Sequence, residues 1–153
     1  MRDAITRYGY DKPTPIQAQA LPIIMSGRDM IGIAMTGSGK TLAYGWPVCV
    51  HCIDQREIIP GEGPIAIILA PTRELVQQVY QTLKPFTKVY GLTTIPVYGG
   101  ASRWEQKKVL QEGAEIIIAT PGRLIDLIKD KATNLQRVTM IVLDEADKMV
   151  GGS

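Results

Sequence analysis

A lysine and a threonine follow closely set glycines in Ala34-Met35-Thr36-Gly37-Ser38-Gly39-Lys40-Thr41, between a β-branched run and an apolar helical stretch. Glycines let such a loop curl until the N–H groups of Thr36, Gly37, Ser38 and Gly39 point at phosphate oxygens, and the next helix offers the same anion its positive end. Lys40 is then placed to neutralise β- and γ-phosphates, and Thr41 to offer a hydroxyl to Mg²⁺. A glycine-rich turn without a ligand has no need of Lys followed by Thr on the first helical turn. The general pattern has Gly where Ala34 stands.

Hydrolysis of a bound triphosphate needs a carboxylate for Mg²⁺ and a polar group for the attacking water. Asp144-Glu145-Ala146-Asp147, after the apolar run Met140-Ile141-Val142-Leu143, supplies both. Asp144 is the candidate Mg²⁺ carboxylate, and Glu145 the group that orients or deprotonates water. The competing reading is an acidic helix N-terminus, where the macrodipole favours carboxylates anyway; the upstream loop decides for the metal role. Cys49 and Cys52, with His51 between them, invite a metal or redox reading. A zinc site needs four ligands, and free cysteines at helical spacing on an apolar stretch read more simply as core packing.

These groups need a scaffold that delivers them to one place. Strand-like runs are predicted at Met30–Ala34, Ile65–Ala70, Thr93–Tyr98, Glu115–Ala119 and Met140–Leu143. Helices are predicted at Pro15–Met25, Gly39–Asp54, Thr72–Tyr90, Arg103–Gln111 and Gly122–Lys131. Runs such as Ile65–Leu69 are apolar on both faces, as parallel strands covered by helices on each side must be. The expected class is α/β, with a doubly wound, mainly parallel sheet whose carboxyl edge binds ligands. Apolar residues at 45% and charged residues at 21% exclude a disordered chain. A net charge of +2 decides nothing about nucleic acid. No apolar stretch approaches bilayer-spanning length, and Met1–Gln19 carries charges and prolines where a signal peptide carries an apolar run, so an intracellular protein is expected.

Taken with Gln17, Pro71-Thr72-Arg73-Glu74-Leu75, Gly99-Gly100 and Thr120-Pro121-Gly122-Arg123, the loop and the acidic motif resemble, in order and spacing, the first RecA-like domain of the DEAD-box RNA helicases. Ala34 is the usual residue of that family at its position. The resemblance spans nearly the whole chain and implies a RecA-like phosphate-loop domain over residues 1–153: an adenine-reading Q-motif region at 1–28, the core at 29–150 and a possible tail at 151–153. It implies ATP and Mg²⁺ as cofactors. Gln17 would bond the adenine edge and Tyr10 pack near the ring. Pro71, Thr72, Arg73, Gly99, Gly100, Thr120, Pro121, Gly122 and Arg123 would grip the RNA backbone without reading its sequence. Weaker similarity in Trp104-Glu105-Gln106, Gln111–Glu115 and Ala132–Val138 resembles members tied to pre-mRNA splicing, which favours the nucleus over the cytoplasm.

In that family a Ser-Ala-Thr segment and a second RecA-like domain follow the acidic motif, and the second domain supplies arginine fingers worth several powers of ten in rate. The chain is therefore expected to act as the ATP- and RNA-binding half of a helicase, nearly inactive by itself. The strand bearing the Ser-Ala-Thr segment lies between the phosphate-loop strand and the acidic-motif strand in the family, so the resemblance implies a central gap. The expectation is that the gap is filled by further residues, by a swapped or complementing chain, or by direct closure. Two other classes compete: an RNA- or protein-binding module with vestigial nucleotide affinity, and a small-molecule kinase.

Overall fold

The computed structural model describes the backbone at residues 29–33 and 38–40 and complete residues from 41 to 145. Its strands are β1 (Asp29–Ile33), β2 (Ala66–Leu69), β3 (Thr94–Val97), β4 (Ile116–Ala119) and β5 (Met140–Asp144). Its helices are α1 (Ser38–Ile53), α2 (Arg73–Val89), α3 (Arg103–Glu112) and α4 (Pro121–Lys129). The helix predicted at Pro15–Met25 lies outside the described residues.

The described strands form one five-stranded sheet in the order β1-β5-β2-β4-β3, and every pairing is parallel. Side chains alternate across it as the two-residue strand period requires. Ala66, Ile68, Ile116, Ile118 and Val142 face α1 and α2, where they meet Val48, Val79 and Leu83. Ile67, Leu69, Ile117, Ile141 and Leu143 face α3 and α4, where they meet Leu110, Leu124 and Leu127. This three-layer arrangement bears out the doubly wound α/β class and explains why β2 and β4 are apolar at every position.

The implied central gap is closed directly. Among the described residues no strand stands between β1 and β5, which pair from Asp29↔Met140 to Ile33↔Asp144, so their facing N–H and C=O groups bond to each other, as buried backbone groups require.

α1 and α2 pack closely because Gly45 has no side chain: a Cβ there would stand 2.5 Å from Leu83 Cδ2. Pro47 and Pro85 lie inside α1 and α2 without ending them. The carbonyls four residues before them belong to Ala43 and Gln81, both exposed, so the hydrogen bond each proline forfeits falls on the solvent side. Cys49 and Cys52 are free thiols in the core. Burial pushes the Cys52 thiol up to about 12 and the Cys49 thiol in the same direction, the behaviour of packing residues rather than nucleophiles.

Candidate functional site

α1 starts at Ser38, shortly after β1 ends at Ile33. Ser38, Gly39, Lys40 and Thr41 therefore make up its first turn, whose N–H groups have no acceptor within the helix. The β1–β5 register sets Asp144 opposite Ile33, beside the start of the phosphate loop. Thr41, Asp144 and Glu145 are 5%, 3% and 7% exposed and line one cavity of about 820 Å³, whose far wall is the Glu74, Leu75 and Gln78 face of α2. Thr41 thus converges with the acidic pair, as the sequence led us to expect. Thr36, Gly37, Tyr10 and Gln17 lie outside the described residues, as do the side chains of Ser38 and Lys40.

Tyr44, on the second turn of α1, donates a hydrogen bond to Asp144 Oδ2 at 2.7 Å. Burial first, and the negative charge of Asp144 second, hold the phenol protonated well above its ordinary range. Glu145 adopts a left-handed backbone, φ +50°, a conformation that costs a non-glycine residue roughly 1–2 kcal/mol and turns the chain sharply at the end of β5. A hydroxyl and a carboxylate are hard oxygen donors that suit Mg²⁺, which takes few protein ligands and fills the rest of its octahedron with phosphate oxygens and water. Among the described residues no three His, Cys, Asp or Glu side chains gather into a cage, and this way of holding magnesium needs none.

The segments after β2, β3 and β4 leave the same edge of the sheet, since Leu69 and Val97 both pair with Ala119. Pro71 is half-buried and Thr72 and Arg73 are exposed. Thr72 caps α2, its hydroxyl accepting from Leu75 N at 3.1 Å, so the ordinary capping role is present whatever else the hydroxyl does. Gly99 and Gly100 are exposed, and Gly100 has φ +85° with the Arg73 guanidinium packed where a Cβ would point. Thr120 caps α4 by backbone conformation without a side-chain bond, and Pro121 occupies the first turn, so the N–H groups of Gly122 and Arg123 open an anion-ready helix end. Arg123 Nη1 donates to Ala101 O at 3.2 Å and to Gln106 Oε1 at 3.1 Å. Gln106 Nε2 in turn donates to Tyr98 O at 3.1 Å.

Two residues that hydrogen-bond predicted site residues, Tyr44 to Asp144 and Gln106 to Arg123, were not themselves among the predicted ones. Tyr44 sat within a stretch read as uniformly apolar, yet it lies three positions after Thr41, on the same helical face. Gln106 is a buried amide, and a polar side chain at a core-facing position of α3 was the available signal.

The sequence profile of the DEAD/DEAH box helicase family matches residues 14–153. The chain is 62% identical over 145 residues to the ATP-dependent RNA helicase DDX42 of Gallus gallus, an alignment covering 95% of this chain and 15% of that protein. Among solved structures it resembles the yeast DEAD-box splicing factor Prp28, with a TM-score of 0.72 and 40% identity over 98% of this chain and 36% of that one. The RNA helicase Prp28 of Chaetomium thermophilum, solved with ADP, gives a TM-score of 0.68 and 46% identity over 98% of this chain and 37% of that one.

Proposed function

The chain belongs to the DEAD/DEAH box helicase family, and from that premise we propose that it is the nucleotide- and RNA-binding part of an ATP-dependent RNA helicase. The observation that carries the reading is the convergence of Thr41, Asp144 and Glu145 on one cavity, at the sheet edge from which the Arg73, Gly100 and Arg123 segments also leave. The chain spans 15% of the length of the chicken relative, so the proposal concerns a longer protein.

Within it, the N–H groups from Thr36 to Gly39 cradle the ATP phosphates, Lys40 neutralises the β- and γ-phosphates, and Gln17 and Tyr10 hold the adenine. Thr41 and Asp144 hold Mg²⁺, which when bound offsets charge on the phosphate oxygens. Glu145 orients the attacking water and accepts its proton. Thr72, Arg73, Gly100, Thr120 and the N–H groups of Gly122 and Arg123, with Pro71, Gly99 and Pro121 shaping their loops, seat single-stranded RNA or one strand of a duplex through its sugar-phosphate backbone. A second RecA-like domain completes the ATPase, and its approach over the RNA bends the strand and strips adjacent base pairs. A nuclear role in splicing is the finer proposal, supported by the likeness to one yeast protein described as a DEAD-box splicing factor.

The test is the ATPase rate of the full-length protein with and without single-stranded RNA. RNA stimulation is expected, together with collapse of nucleotide affinity in Lys40→Ala. A rate indifferent to RNA, or nucleotide binding that survives Lys40→Ala, rejects the helicase reading and leaves a binding module.

A further inference from the structure

We infer that Tyr44 is a positioning residue that holds the Asp144 carboxylate in the plane from which it serves the magnesium site, so that the chain carries its metal-orienting hydroxyl on α1. The inference rests on the nucleotide-site reading above and adds to it a residue that reading does not use. The Tyr44 ring is 3% exposed and is packed in the cluster of Val48, Cys52, Ile68 and Val142, which fixes its direction. Its hydroxyl is the only part of the side chain that a phenylalanine would lack, and ring packing alone would favour phenylalanine, because a buried hydroxyl costs free energy unless it is bonded. That hydroxyl bonds Asp144 Oδ2 at 2.7 Å across 100 residues of sequence.

The phenol thus ties the carboxylate at the end of β5 to α1, the helix whose first turn carries Thr41. A carboxylate with one oxygen tethered loses its free rotation, so the direction of its other oxygen is set before any ligand binds. Partners of this kind, standing behind a metal ligand, are commonly worth 10–100-fold in metal affinity.

The experiment measures ADP affinity by calorimetry in the full-length protein, once with Mg²⁺ and once with a chelator, for the wild type and for Tyr44→Phe. The gain in ADP affinity on adding Mg²⁺ is expected to fall about tenfold in Tyr44→Phe, with the affinity in chelator unchanged. Placed on an Asp144→Asn background, Tyr44→Phe is expected to change that gain no further. An equal magnesium gain in wild type and variant overturns the inference. So does a loss of ADP affinity that is the same in chelator, which would make the hydroxyl a packing group of the phosphate cradle. A wild-type protein whose ADP affinity ignores Mg²⁺ sinks the nucleotide-site reading itself, whereas a magnesium-sensitive wild type whose variant keeps the same magnesium gain sinks this inference alone.

Discussion

Gly100 shows how the backbone alone can constrain a single residue. Its φ of +85° lies in the left-handed region, while the atom a Cβ would crowd, Arg73 Nη1 at 2.7 Å, is the far end of a flexible side chain. The backbone therefore sets the penalty: Gly100→Ala costs about 1–2 kcal/mol, and the guanidinium swings aside at little expense. A loop that leaves the left-handed region escapes that cost, and on the RNA-binding proposal the lost conformation should appear in affinity more than in global stability. Titration of the full-length protein with single-stranded RNA is expected to show weaker binding for Gly100→Ala at a nearly unchanged melting temperature; equal affinity would remove the loop from the binding surface. At this scale the sequence was most legible where residue chemistry is unusual, as in Thr41 and Asp144-Glu145, which the fold brings to one cavity. Tyr44 stayed hidden because its function depends on a partner 100 residues away, and no local pattern reports such a partner.

Among elements, strands and helices from β1 to β5 fall within a residue or two of their predicted ends, because the alternation of wholly apolar runs with amphipathic ones is strong. α2 buries Val76, Val79, Leu83 and Thr87, the spacing of one helical face. Less legible was the purpose of the connection between α1 and β2, which reads in sequence as a Pro/Gly turn. In the fold it is a clasp. Glu62 binds Arg56 through both carboxylate oxygens, accepts from Ile59 N at 3.0 Å and pairs with Arg137 at 3.4 Å, while Arg137 Nη2 donates to Arg56 O at 2.8 Å. Gly63 lies so close to the Asn134 carbonyl that no Cβ could fit. Ala132–Val138, noted in sequence only for its family likeness, is thus the strip to which the loop is fastened. The Arg56 hydrogen bonds first, and the Ile59 N–H second, draw the Glu62 carboxyl down from 4.5 to about 2. A depressed carboxylate pKa gives stability that is fully present above the unfolded value and lost as pH falls through the folded one. Protection of the Ile59 amide against hydrogen exchange, corrected for intrinsic rates, should therefore hold above pH 4.5 and disappear around pH 2. It should be missing at every pH in Glu62→Ala, and protection that persists there would assign the loop's order to other contacts.

Across the whole molecule, the parallel sheet gathers at one edge what the chain separates by more than a hundred positions. Its register puts the ends of β2, β3 and β4 level and that of β5 one residue beyond β2. A ligand along that edge meets loops from several strands at once, but the two arginines there are not equivalent. Arg73 is exposed, and its one ion pair among the described residues is a 3.6 Å surface pair to Glu74, which is worth little, so its charge is available to a phosphate. Arg123 is half-buried and bonded to Ala101 O and Gln106 Oε1; it braces the loop after β3 against α3 and α4. Salt dependence separates the two roles, because each phosphate neutralised on a single strand contributes about 0.7 to the slope of log affinity against log salt. In the full-length protein, Arg73→Ala is expected to weaken single-stranded RNA binding and flatten that slope by about 0.7. Arg123→Ala should weaken binding with the slope unchanged, since it removes a brace and leaves the count of neutralised phosphates intact. If Arg123→Ala also flattens the slope by that amount, the guanidinium leaves its protein partners on binding and grips the RNA itself.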